Sequence, residues 1–440
     1  MGDGKPVTGA GPQSVVLALN SGSSSLKFGL YRVNGSCTEA LLSGVAEAIG
    51  EPNGRFNAKD SQRGPLNCET ASVTSQQDAI MHIGKLLDGS KMPGPAAIGH
   101  RIVHGGARLR QHCLIDATVM QQLESAAAFA PLHTPSALSV IRFAQEHFPR
   151  LPQVACFDTA FHAGMPDAAR VLPVPRDLQS LGIQRYGFHG LSCESIVHQL
   201  STSLPDRLII AHLGNGASVT AIKGGKSVDT SMGLTPSGGV MMGSRSGDLD
   251  PGVLVYLLRE RKFDAVMLED LIARRSGLAG VSGIGGDMRR LHAAAPSNPD
   301  VRLAIDMFCY SVRKQIASMA GSICSSLPAA SARTMARCGR RSAQACPGPA
   351  CILARWGTIP TPLPSVTHRL PGRSFSLRWK TSRSPGTLVL SLPRGLKCER
   401  DVVHAAILVR CLDLEAQLPA HFQHDRILMQ NLALYAFHAF

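Results

Sequence analysis

The sequence predicts an α/β protein built from a duplicated domain, with a cleft between the copies and a tail of different character behind them. Three observations predict it. Strand and helix patterns alternate over the first 318 residues, as expected of sheets covered by helices. Two strand pairs, LALNSGSSSLKFGLY and IAHLGNGASVTAIKG, share one plan: an apolar strand, a small polar turn and an amphipathic strand. Between Asp306 and Glu399 the chain has no acidic residue, while Arg and Lys continue. The expected division is a leader over 1–14, a first domain over 15–165, a second, incomplete domain over 166–318, and a basic, poorly ordered tail over 319–440.

The elements follow in order. VVLALN (residues 15–20) reads as a buried apolar strand, and SLKFGLYRV (25–33) as a second with period-two alternation. AAIGHRIVHGG (96–106) contains a third strand. TPSALSVIRFAQEHF reads as a helix capped by Thr134. PQVACFDTAF (152–161) is an apolar strand running into polar residues, and 206–233 gives two strands joined at a glycine-rich turn. VRLAIDMFCYSVRKQIASMAGSI (301–323) is a long helix. In the tail, VVHAAILVRCLDLEAQLPAHF (402–422) reads as one amphipathic helix.

Composition narrows the class. The 440 residues are 44% hydrophobic and 17% charged, which suits a globular chain with a core. No run of about 18 apolar residues suggests a membrane span. The start, MGDGKPVTGAGPQS, has no apolar signal core and does not complete the myristoylation pattern, since Pro6 stands where Ser or Thr is needed. Cysteines in the first part are scattered singly, as free thiols in a reducing cytoplasm are. The net charge of +14 divides unevenly: residues 1–318 hold 30 basic and 26 acidic residues, and 319–440 hold 15 and 5. The excess belongs to the tail, whose Cys338, Cys346 and Cys351 lack zinc-knuckle spacing. FSLRWKTSR is its one stretch of cations among aromatics, and no nucleic-acid-binding signature accompanies it, so no nucleic-acid partner is expected.

The turns carry the chemistry. In NSGSSSLK, Gly22 with Ser23, Ser24 and Ser25 follows a strand end, leaving N–H groups and hydroxyls free to face an anion, with Lys27 two residues on. In HLGNGAS, Gly214 and Gly216 flank Asn215 in a turn tight enough to approach a phosphate chain. Arg101 lies between His100 and His104, His189 sits in the glycine turn YGFHG, and Arg245 lies in the loop MMGSRSGDLDPG. His100 and His104 read as structural. Two arginines, a histidine and two phosphate-type turns suggest phosphoryl transfer, where charge on the moving group must be neutralised.

NSGSSSLKF, GHRIVHGG, FDTAFH, RYGFHGLS, AHLGNGAS, TPSGGVMMGSRSGDLDPG and SGLAGVSGIGGDMR, in that order from about Val15 to Ser318, closely resemble the acetate kinase family. The resemblance implies duplicated actin- and sugar-kinase-like (ribonuclease H-like) domains, ATP with Mg²⁺ or Mn²⁺ in the interdomain cleft, and a homodimer. The implied reaction converts acetate and ATP to acetyl phosphate and ADP, with propionate as the alternative acceptor. Carried over by motif, Arg101 and Arg245 would hold the carboxylate and the phosphoryl group, and His189 would stabilise the same charge. Asp158 would act catalytically by positioning a metal-bound water, because an ionised carboxylate substrate needs no general base. Asn20 matches the metal ligand. Lys27, Ser23 and Ser24 match nucleotide contacts, as do His212, Leu213, Gly214, Asn215 and Gly216 of the phosphate loop and Asp287, Met288 and Arg289 of the adenosine side. Val103, Leu132 and Phe188 would line the methyl pocket, and a Val at the first resembles the acetate enzymes. Cys193 departs from the family, which has His there.

After the long helix the family continues with a strand of the type GGLDxLVFT and a nucleotide-wrapping loop, GGIGEN. Neither stands here. Yet codons can be chosen for Met319–Met335 (MAGSICSSLPAASARTM) that, with boundaries moved one base earlier, translate as GGLDLLFTAGGIGEND. ARCGRRSAQACPGPACILARWG permits a like shift to GxVRAxICxGLxWxG, the helix expected next. Residues from about Met319 to at least Trp379 are therefore expected to be translated out of register. The loop's Glu and Asn, and a late acidic pair of TDEE type, would be lost as residues.

Overall fold

The computed structural model describes residues 14–34, 37–62, 64–66, 73–90, 92–130, 134–200 and 204–324, with short strands beyond at 367–370, 373–376, 387–389 and 406–411. The first sheet contains β1 (Ser14–Ser21), β2 (Leu26–Asn34), β3 (Cys37–Glu47), β4 (Arg55–Asp60), β5 (Gly64–Leu66), β6 (Ala97–Ile102), β7 (Cys113–Leu114) and β8 (Gln153–Phe157). Their order is β5-β4-β3-β2-β1-β6-β8-β7. β1, β6 and β8 run parallel, so three strands end on one side of the sheet.

β1 reads as an unbroken apolar run because both of its faces are covered. Val15, Leu17 and Leu19 pack with Ile80, Ile83, Val140 and Ala144. Those four come from α1 (Gln76–Gly89) and the later helix over Thr134–His147. Val16 and Ala18, on the opposite face, pack with Val154, Cys156 and Leu191. The helices follow in chain order: α2 (Ala117–Ser125), α3 (Thr134–His147), α4 (Asp167–Arg170), α5 (Arg176–Ser180), α6 (Gly190–Leu200), α7 (Pro251–Glu260), α8 (Ala265–Arg274), α9 (Gly277–Ser282), α10 (Met288–Ala294) and α11 (Pro299–Cys324).

The second sheet repeats the first plan. β9 (Arg207–Leu213), β10 (Ala217–Lys223) and β11 (Lys226–Thr230) are consecutive antiparallel strands, as β1, β2 and β3 are. α11 lies over them and buries Val301, Ala304, Phe308, Val312, Met319 and Ile323, a stripe of helical period. The helix runs to Cys324, past residue 318. α6 lies between the sheets, with Leu191 in the core of the first and Cys193 and Ile196 packed on Leu208, Ile210 and Ile222 of the second.

Beyond α11 the described strands are β12 (Thr367–Leu370) paired with β13 (Arg373–Ser376), β14 (Thr387–Val389) and β15 (Ala406–Cys411). β15 joins β9 in parallel register, Ala406 opposite Leu208 through Cys411 opposite Leu213. It takes the position beside β9 that β6 takes beside β1. The helix expected over 402–422 is corrected here: Ala406–Cys411 is a strand. An apolar run such as Ile407–Leu408–Val409 fits either period, and the unpaired edge of β9 offers a ladder that an isolated helix does not. The rest of that stretch lies outside the described residues, as do the out-of-register segment past Cys324 and residues 1–13.

Candidate active site

Three of the side chains expected to be functional stand at the ends of the three parallel strands, where α/β sheets place ligands. Asn20 is the penultimate residue of β1, Arg101 of β6, and Asp158 follows β8. Arg101 donates from Nε and Nη2 to the two Asp158 oxygens, at 3.2 and 2.6 Å, and from Nη1 to Asn20 Oδ1 at 3.1 Å. A fork held this way has one orientation, which a lysine would not keep. Asp158 is buried, so its charge is compensated by Arg101 rather than by water. Lys27, opposite Asn20 in the β1–β2 pairing, is pushed down in pKa by its own burial and then by the Arg101 charge.

The second sheet contributes the facing wall. His189 has a left-handed backbone, φ 59°, and opens α6. Its ring stacks on that of His212 with centroids 4.1 Å apart, and its Nδ1 lies 2.9 Å from the Ser218 hydroxyl. Burial, and then the His212, Arg101 and Arg245 rings and cations, hold His189 well below the ordinary histidine range, so it is neutral. A Ser218 hydroxyl that donates to Nδ1 leaves the ring proton on Nε2. A Cβ added at Gly216 would lie 3.3 Å from His189 Nε2 and 3.4 Å from Arg245 Nη1, so these two donors flank one spot on the turn. Arg245 donates to the Pro236 carbonyl at 3.1 Å and pairs with no carboxylate among the described residues. The Arg101 charge is felt at both His189 and Arg245, so two guanidiniums and a neutral imidazole lie close enough together to suit an anion.

The glycines show how closely the loops meet. A Cβ at Gly190 would lie 2.2 Å from the Asp158 carbonyl, to which the Gly190 N–H donates at 2.7 Å. A Cβ at Gly243 would lie 2.4 Å from Asn215 Oδ1, and one at Gly286 2.5 Å from the Gly243 carbonyl. Asp287, Met288 and Arg289 thus begin one loop away from the phosphate-type turn. Asp287 caps α10 and pairs with Arg289, while Met288 packs on the second core.

The other expected residues divide. Val103 and Phe188 share one apolar cluster, Phe188 fully buried within it. Leu132 lies outside the described residues. Ser23 and Ser24 are exposed at the β1–β2 turn, and His212, with Nδ1 2.9 Å from the Ser192 hydroxyl, is buried below Leu213 and Gly214. His100 is buried on Gln153 at 2.7 Å, and His104 is packed among Phe129, Tyr186 and Phe188. Cys193 is on the buried face of α6, its thiol pushed up to about 12 by burial. Ser218, Ser192 and Gly190 were not legible as site residues. Ser218 is one residue beyond the HLGNGA turn, and its alternation on β10 was the available signal.

Duplicated α/β domains of this topology, with Arg245 and a neutral histidine flanking a phosphate-type turn, are those of an ATP-dependent phosphotransferase, the class to which its relatives belong. The fold is that of the actin- and sugar-kinase-like enzymes. The chain belongs to the acetokinase family, which it matches over residues 15–330. It is 42% identical over 316 residues to the acetate kinase of Shewanella amazonensis, covering 69% of this chain and 78% of that protein. Among solved structures, a propionate kinase from Francisella tularensis is 36% identical with a TM-score of 0.65, covering 70% of this chain and 80% of that one. The acetate kinase of Porphyromonas gingivalis is 32% identical with a TM-score of 0.62, covering 71% and 87%. By family the activity is of the acetate/propionate kinase type.

Proposed function

We propose that the site transfers the γ-phosphoryl group of ATP to acetate, reversibly, giving acetyl phosphate and ADP. The observation that carries this is the Arg101 fork, fixed by Asp158, whose charge acts on both Arg245 and the neutral His189. An acetate oxygen attacks the γ-phosphorus as the bond from phosphorus to the ADP oxygen breaks. The acceptor is already ionised near neutral pH, so no proton is removed. Charge on the moving phosphoryl group is met by the two guanidiniums and by His189 Nε2–H, which adds a donor without a third cation beside them. Asp158 orients Arg101. Val103 and Phe188, members of one apolar cluster, would supply the apolar wall for the methyl group.

Asn20 and Asp158 are hard oxygen donors at the ends of β1 and β8, on either side of β6, a set that fits Mg²⁺, which keeps waters and takes its remaining ligands from phosphates. When bound, the ion would neutralise phosphate charge, with Asn20 as ligand and Asp158 holding one of its waters. Lys27, Ser23, Ser24, the turn from His212 to Gly216, and Asp287 to Arg289 would contact the nucleotide. The partner is a second copy of the chain. α7 and α8 bury no residue, and Val253, Val255, Tyr256, Leu258, Val266 and Met267 are exposed on them, an apolar surface that supports a homodimer. The proposed location is cytoplasmic; among the described residues no helix is long and apolar enough to cross a membrane.

Past about Met319 the chain reads out of register, and its activity is impaired for want of the GGIGEN loop. In support, the family match stops at residue 330 of 440 although it covers only 78% of its relative. The test compares ATP-dependent acetyl phosphate formation by the chain as it stands and by one carrying a single base inserted near codon 318. Activity in the repaired chain alone supports both readings. Equal activity in both would sink the impairment, and none in either would sink the assignment of acetate.

A further inference from the structure

We propose that His112 is a positioning residue for the phosphoryl-transfer site, bracing the strand end that carries Asp158 against the helix that follows His189. The proposal rests on the assignment of Asp158 and His189 to that site. Successive N–H groups of a strand point to opposite neighbours. The Asp158 N–H donates to the Ile102 carbonyl of β6, so the Phe157 N–H points the other way. There β7 is only two residues long and pairs Cys113 with Ala155 and Leu114 with Val154. One rung further the partner strand has ended, and a shielded N–H without an acceptor would be costly.

The imidazole of His112 supplies that acceptor. Its Nδ1 accepts from the Phe157 N–H at 3.0 Å, which places the ring proton on Nε2. Nε2–H in turn donates to Glu194 Oε2 at 3.1 Å. Both side chains are shielded, at 9% and 24% exposure, so the contact is little weakened by water. Glu194 lies on α6, one turn after Gly190, whose own N–H holds the Asp158 carbonyl. The peptide before Asp158 and the carbonyl of Asp158 are thus both tied to the helix that begins beside His189. His112 touches neither reacting atom. It sets the distance between the Arg101–Asp158 fork and the His189 ring, and such distances must hold to a fraction of an ångström for transfer.

The test uses the full chain and the variants His112→Ala, His112→Asn, Glu194→Gln and Asp158→Asn. Hydrogen–deuterium exchange is read over 153–160, 188–196 and 207–223, beside the kinetics of acetyl phosphate formation. In His112→Ala, exchange over 153–160 should quicken by roughly tenfold while 207–223 holds. In the same variant kcat should fall about tenfold, with KM for acetate and ATP changed less than about twofold. His112→Asn, whose Oδ1 can accept from Phe157, should restore both to within about threefold, and Glu194→Gln should fall between. Exchange over 153–160 at the parental rate in both His112→Ala and Glu194→Gln would overturn the brace. So would faster exchange everywhere without rescue by Asn, which would make His112 a packing residue only. Parental turnover in Asp158→Asn would instead overturn the site assignment. The exchange data judge the brace whether or not the chain turns over.

Discussion

Arg101 uses all three of its nitrogens, two on Asp158 and one on Asn20, so the planar fork is set before any substrate arrives. Lys at this position keeps the charge and loses the plane. Arg101→Lys should therefore lower kcat by roughly 10²–10³-fold, read as acetyl phosphate formed at saturating ATP. Acid stability is set by other residues. Burial holds His100 and His162 at a pKa of about 4, against 6.5 for a free side chain. Between those values the unfolded chain binds more protons than the folded one, so stability is full above pH 6.5 and is lost as pH falls toward 4. The loss is up to about 3 kcal/mol for each histidine. Urea midpoints at pH 7 and pH 5 should show it, and His100→Gln should flatten the slope.

Two segments carry testable weight as elements. α6 can reach Asp158 only because position 190 has no side chain: a Cβ there would meet the Asp158 carbonyl oxygen at 2.2 Å and Phe161 Cβ at 3.1 Å. Gly190→Ala should cost about 1–3 kcal/mol in denaturant unfolding and lower kcat as well, since Asp158 and His189 would be pushed apart. β15 is tied to β9 by a parallel ladder from Ala406 to Cys411. Leu408→Pro removes one ladder N–H and should lower Tm by a few degrees and speed exchange over 207–213. An unchanged exchange rate there would show that β9 does not depend on the tail. Part of this was legible in sequence. The run VVLALN declares a strand covered on both faces, and TPSALSVIRFAQEHF a helix, because hydrophobic period alone decides them. Ala406–Cys411 was not legible, since its period fits two structures and only the open edge of β9 selects one.

At the scale of the whole molecule, α7 and α8 turn apolar residues outward. If the proposed homodimer forms through this face, Val255→Glu combined with Tyr256→Glu should leave a monomer in light scattering, with little change in the thermal melt, since neither residue is in a core. The two sheets share one plan, and α6 packs on both, so the facing walls of the site are joined by a single helix. The repeat of LALNSGSSSLKFGLY in IAHLGNGASVTAIKG foretold that plan, because a duplicated strand–turn–strand pattern keeps its periodicity even where residues differ.

From sequence alone came the duplicated strand plan and the family, and with them Asn20, Arg101, Asp158, His189 and Arg245 as the proposed site residues, because short motifs and periodicity are local properties of a chain. The tertiary structure alone decided that His189 is neutral, that Arg101 is spoken for by Asp158, and that His112 reaches Phe157 and Glu194. Those facts depend on burial and on distances between residues as far as 82 positions apart, which no local pattern encodes.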